Sequence, residues 1–121
     1  MLKPNKLANN NFLSSLDVST NETFHILELA KNFKNKKIKI DLNNKVLGLI
    51  FDKSSTRTRV SFQVAMTRLG GTTIDLNPTT SQIGRGEPIK DTARVLSRYC
   101  DVIAIRTFDH SDLEEYANWS S

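Results

Sequence analysis

Cysteine is almost missing from this sequence: Cys100 stands alone, so no intramolecular disulfide can form and the chain suits a reducing compartment. No apolar run approaches the roughly 20 residues that a membrane-spanning helix needs, which excludes an integral helical membrane protein. Residues Met1 to Lys6 have neither the apolar core nor the small-residue cleavage site of a signal peptide, so the expected location is the cytoplasm. Histidine occurs only at 25 and 110, with no Cys or carboxylate at ligand spacing, so no metal site is expected. Neither G-x-x-x-x-G-K-[ST] nor G-x-G-x-x-G occurs, and Gly84-Arg85-Gly86 alone is a weak signal. Internal repeats, linkers and low-complexity tracts are absent as well.

What remains is an ordinary globular composition, 25% charged and 38% apolar, in 121 residues, enough for one domain with a modest core. The net charge of +4 is mild. Lys31, Lys34, Lys36, Lys37 and Lys39 cluster behind a predicted helix, where cations complement the helix C-terminal dipole and keep the face solvated. The seven arginines are spread over several elements instead of forming one stripe, which argues against a nucleic-acid face.

Residues 1 to 18 carry little periodicity. Ser19-Thr20-Asn21-Glu22 then has capping-box spacing, and Phe24, Ile26, Leu27, Ala30 and Phe33 predict an amphipathic helix to about residue 35. Val46 to Phe51 is short and nearly all apolar, as in strands covered on both faces. Phe62, Ala65, Met66 and Leu69 mark one face of a helix from about Thr56, which Gly70-Gly71 ends. Thr72 to Leu76 reads as a second strand, and Asn77 to Glu87 as a long polar loop. Pro88 suits the first turn of a helix whose inner face is Ile89, Ala93, Leu96 and Cys100. Val102 to Ile105 is a third strand, and Ser111-Asp112-Leu113-Glu114 caps a last helical segment. This alternation predicts an α/β fold, three layers (αβα) around a parallel sheet.

Ligands of such sheets bind outside the carboxyl ends of the strands. Three polar segments fall there: Ser55 to Arg59, the Asn77–Glu87 loop and Arg106. Two readings stand for Ser55-Thr56-Arg57-Thr58. One is a hydroxyl-capped helix start with surface arginines. The other is an anion cradle, in which helix N–H groups, hydroxyls and a guanidinium converge on a phosphate. Arg106 ends an apolar strand, where it either snorkels to water or meets a ligand. Gln82 by itself is a loop amide, Arg85 and Glu87 read as partners of each other or of water, and Asp91 with Arg94 reads as a surface pair. Cys100 reads as a core residue.

The stretch FDKSSTRTRVSF (residues 51–62) resembles the phosphate-binding signature of the aspartate/ornithine carbamoyltransferase family. The resemblance continues through Gly70-Gly71, Ser81-Gln82-Ile83-Gly84, Glu87, Lys90 to Leu96, and Arg106-Thr107, covering the chain from about residue 11. Lys53 ahead of STRTR, and SQIGRGE-x-IKDTARVL behind it, are similar to the ornithine branch; the aspartate branch typically has glutamate at the Lys53 position and a lysine-bearing loop in place of SQIG.

The resemblance implies transfer of a carbamoyl group from carbamoyl phosphate to the δ-amine of ornithine, without a cofactor, in arginine biosynthesis. It implies that Ser55, Thr56, Arg57 and Thr58 bind the phosphate, with Arg57 and Arg106 catalytic and Arg106 reaching both the phosphate and the carbamoyl oxygen. It further implies that Gln82 binds carbamoyl phosphate from a neighbouring subunit of a homotrimer. The family's His-Pro-x-Gln motif and its ornithine-binding domain do not occur in residues 1–121. The expectation is therefore a carbamoyl-phosphate-binding domain over 1–121, incomplete at its C-terminal end, with three of four strands and no activity by itself. Relatives acting on aspartate, acetylornithine or putrescine remain alternatives at this point, as does a non-catalytic module binding anions or nucleic acid.

Overall fold

A computed structural model describes residues 6–51, 55–76 and 88–120. The chain divides into two compact units, residues 1–40 and 41–121.

The first unit holds a 3-10 turn (Ser15–Asp17) and helix α1 (Thr20–Lys34). Both begin with a reciprocal capping box, Ser14 with Asp17 and Ser19 with Glu22. The expected cap at Ser19 is thus present, whereas the one at Ser14 lies in a segment whose sequence shows no periodicity. The amphipathic pattern of α1 does not bring burial. None of its residues is buried, and Phe24 and Leu27 are 65% and 60% exposed.

The second unit carries β1 (Val46–Phe51), α2 (Thr56–Arg68), β2 (Thr72–Leu76), α3 (Ile89–Tyr99), β3 (Val102–Arg106) and α4 (His110–Trp119). All strand pairs are parallel and the order is β2-β1-β3, which puts the most apolar strand in the centre. Leu49 and Ile50 are fully buried on β1, each side chain contributing about 1.5–3 kcal/mol by leaving water. Successive residues of a strand face opposite sides, so β1 feeds two cores. Leu47, Leu49 and Phe51 pack with Met66 of α2; Ile50 packs with Ala93 of α3 and Tyr116 of α4. Helices therefore cover both faces of the sheet, the three layers that the alternation predicts.

Local chemistry sets the element ends. Gly70 leaves α2 at φ +88, a left-handed conformation that glycine adopts without strain. Three expectations shift. Pro88 is the N-cap of α3 rather than its first residue, and Asp109 instead of Ser111 caps α4, accepting from the Ser111 N–H at 3.0 Å. On α2, Met66 is buried, but Phe62 and Ala65 face outward, because the helix turns only a narrow stripe to the sheet.

Candidate functional site

Parallel register places Phe51 of β1 beside Arg106 of β3, so both strands exit at one edge of the sheet. α2 starts at that edge with Ser55 as its N-cap. Arg106 Nη1 donates to Ser55 Oγ at 2.9 Å. Two residues 51 positions apart are joined there, and Arg106 does not simply snorkel into water.

Ser55 uses its hydroxyl unusually for an N-cap. It makes no capping bond to its own helix, in contrast to Ser14, Ser19 and Asp109. The first turn of α2 also lacks an acidic residue, although the first turns of α1, α3 and α4 carry Glu22, Asp91 and Asp112. Arg57 and Thr58 stand in that turn, both exposed. A cation at the positive end of a helix dipole is unfavourable alone and becomes favourable when an anion joins it. Ser55, Thr56, Arg57, Thr58 and Arg106 thus form a positive, donor-rich edge open to solvent.

A shallow groove of about 420 Å³ shares Arg57 and Thr58 with this edge and continues along α2 past Ser61, Phe62 and Ala65. Those last three positions were not among the sequence-predicted site residues; the outward placement of Phe62 and Ala65 becomes visible only once the helix is docked. Arg59, the last residue of the polar Ser55 to Arg59 segment, and Asp75, which the sequence reading did not single out, approach each other with Nε to Oδ2 at 3.5 Å. Gln82 and Lys53 lie outside the described residues, as do Arg85 and Glu87.

The other candidates go elsewhere. Among the described residues no ion pair joins Asp91 to Arg94; Arg94 and Lys90 instead lie over the Trp119 ring, at 4.9 and 4.4 Å. Cys100 is partly buried, and burial, then the charge of Asp101, raises its thiol pKa, which disfavours the nucleophilic thiolate. Among the described residues no group of three His, Cys, Asp or Glu side chains is placed to hold a metal ion. Among the described residues no helix is long and apolar enough to cross a membrane.

Comparison with known proteins agrees with this geometry. Residues 10–121 match the family described as aspartate/ornithine carbamoyltransferase, carbamoyl-P binding domain. An ornithine carbamoyltransferase from Prochlorococcus marinus is 86% identical over 121 residues, all of this chain and 39% of that protein. The solved ornithine carbamoyltransferase of Pyrococcus furiosus is 49% identical with a TM-score of 0.85, over 95% of this chain and 38% of that one. An aspartate transcarbamoylase from Trypanosoma cruzi, in complex with carbamoyl phosphate and aspartate, is 28% identical with a TM-score of 0.84, over 95% of this chain and 39% of that one. The chain thus spans about two-fifths of the length of these relatives. With residues 10–121 matched and a parallel sheet whose edge gathers Ser55 and Arg106, the chain belongs to the aspartate/ornithine carbamoyltransferase family.

Proposed function

We propose that this chain is the carbamoyl-phosphate-binding part of an ornithine carbamoyltransferase, working in the cytoplasm in arginine biosynthesis. The observation that carries the reading is the Arg106–Ser55 hydrogen bond, which sets a guanidinium from β3 beside a helix start without acidic residues. Ser55, Thr56, Arg57 and Thr58 hold the phosphate of carbamoyl phosphate through hydroxyls, helix N–H groups and a guanidinium. Arg106 reaches both the phosphate and the carbamoyl oxygen.

The chemistry follows from those charges. As the δ-amine of ornithine attacks the carbamoyl carbon, negative charge grows first on the carbonyl oxygen and then on the departing phosphate. Arg106 and the Thr58 hydroxyl stabilise the first, and Arg57 with Arg106 the second, as donors already aimed at developing charge do. The C–N bond forms as the C–O bond to phosphate breaks, and the departing phosphate accepts the amine proton, leaving citrulline. Gln82 of a neighbouring copy completes the carbamoyl phosphate site in a homotrimer, and the rest of the full-length protein binds ornithine. Ornithine is preferred over aspartate because of Lys53, the SQIG segment and the names of the most similar relatives.

Titration of the 121-residue chain with carbamoyl phosphate and with inorganic phosphate, followed by backbone amide NMR, tests the reading. The amides of Thr56, Arg57 and Thr58 are expected to shift saturably. Arg57→Ala should weaken binding about tenfold or more, the loss expected for a charge-assisted hydrogen bond. Salt-sensitive binding of an oligonucleotide, indifferent to Arg57→Ala, would support a nucleic-acid module in its place.

A further inference from the structure

We propose that Arg59, through its ion pair with Asp75, is a positioning residue for the phosphate cradle. The inference rests on the carbamoyl phosphate reading of that edge.

The geometry begins with Arg59 itself. Its backbone N–H donates to the Ser55 carbonyl at 3.0 Å and closes the first turn of α2. Its side chain reaches across to β2, where Nε stands 3.5 Å from Asp75 Oδ2. Asp75 pairs in register with Leu49, and Leu49 belongs to the cluster that packs against Met66 of α2. Residues paired across parallel strands project to the same face, so Asp75 lies on the α2 side near the end of β2. Ser55 is thereby held from both outer strands of the sheet. Its hydroxyl takes a hydrogen bond from Arg106 on β3, and its carbonyl is tied through Arg59 to Asp75 on β2.

The charge balance makes this arrangement informative. A carboxylate close to an anion site repels the anion and lowers its affinity. Asp75 also engages a guanidinium that would otherwise be free to meet phosphate directly. On charge alone, removing Asp75 should tighten phosphate binding twice over. Positioning demands the opposite sign: without Asp75 the first turn of α2 loses its tether to β2, and the donors of Ser55 to Thr58 no longer converge. Both partners are about one-third exposed, so the tether is worth the modest energy of a part-buried ion pair.

The test is phosphate affinity of the 121-residue chain, read by amide NMR with inorganic phosphate, in Asp75→Asn, Arg59→Gln, Arg59→Lys and the Asp75→Asn/Arg59→Gln double variant. Asp75→Asn is expected to weaken binding about threefold, the size such an ion pair supports. The double variant should bind no more weakly than Arg59→Gln, because the two residues act as one unit. Arg59→Lys, which keeps the pair, should stay near wild type. Asp75→Thr, a good strand former, repeats the sign test should the Asn variant not fold. Binding as tight as wild type or tighter in Asp75→Asn or Asp75→Thr, or losses that add in the double variant, overturns the proposal. Arg57→Ala separates this failure from failure of the parent reading. Phosphate binding that Arg57→Ala removes and Asp75→Asn leaves intact overturns the role of the pair alone. A wild-type chain that binds no phosphate overturns both.

Discussion

Ser55 has one hydroxyl and two competing uses for it. A serine at an N-cap ordinarily accepts from the helix it starts, as Ser19 does from the Glu22 N–H at 3.0 Å. Ser55 accepts from Arg106 instead, so α2 begins without its side-chain cap. Ser55→Ala therefore removes no capping bond and should leave thermal stability nearly unchanged. Ser19→Ala should cost about 1 kcal/mol, the usual worth of a cap. Phosphate affinity should respond in the reverse order, falling several-fold in Ser55→Ala, where Arg106 loses its anchor, and staying level in Ser19→Ala. Paired melting and phosphate titrations check this, and a Ser55→Ala that melts lower but binds normally would make the residue an ordinary cap. Gly48 shows a different single-residue constraint. A Cβ there would stand 3.0 Å from the Cys100 sulfur, so the central strand stays small where the end of α3 crosses it.

At the scale of elements, the helices differ in what fastens their ends. The Glu22 carboxylate accepts from the Ser19 N–H and from the Ala8 N–H, each at 2.9 Å, tying the segment before α1 to its first turn. Those bonds, the Ser19 one foremost, hold the Glu22 pKa below its ordinary value. Asp109 at the start of α4 is lowered in the same way, chiefly by the Ser111 N–H. A carboxyl whose pKa is lower in the folded chain stabilises it above the unfolded-state value, and that stabilisation fades as pH falls through the folded value. Acidification below about pH 4, the ordinary carboxylate range, should therefore loosen both helix starts before the β1 core yields. The amides of Ala8, Ser19 and Ser111 report it by NMR; if they titrate no earlier than those of Leu49 and Ile50, the caps are not the weak points.

For the whole molecule, the decisive feature is the chemistry collected at one edge of the sheet. The edge of the sheet gathers hydroxyl donors and positive charge. The chain also spans about two-fifths of its relatives. The 121-residue chain is thus expected to bind carbamoyl phosphate and to form no citrulline when ornithine is added. A citrulline assay on the purified chain, against Arg57→Ala as the blank, decides this; turnover above that blank would mean the amine site lies within these residues.

Most of the elements, and the candidate residues at the strand exits, are legible in the sequence because they are written in local patterns. The unbroken apolar run Val46 to Phe51 marks the central strand, Gly70 marks a helix exit, and Ser19 with Glu22 marks a helix start. Ser55 to Thr58 and Arg106 stand out as candidates because hydroxyls and guanidinium groups follow directly on apolar strands, at the edge where ligands of parallel sheets bind. Which residues meet depends on how the strands are ordered and paired. The order β2-β1-β3 and the pairing of Phe51 with Arg106 bring Arg106 to Ser55, and the pairing of Leu49 with Asp75 brings Asp75 to Arg59. Neither meeting leaves a trace in local sequence, since each joins residues on different elements, and strand order is set by the packing of helices on both faces of the sheet.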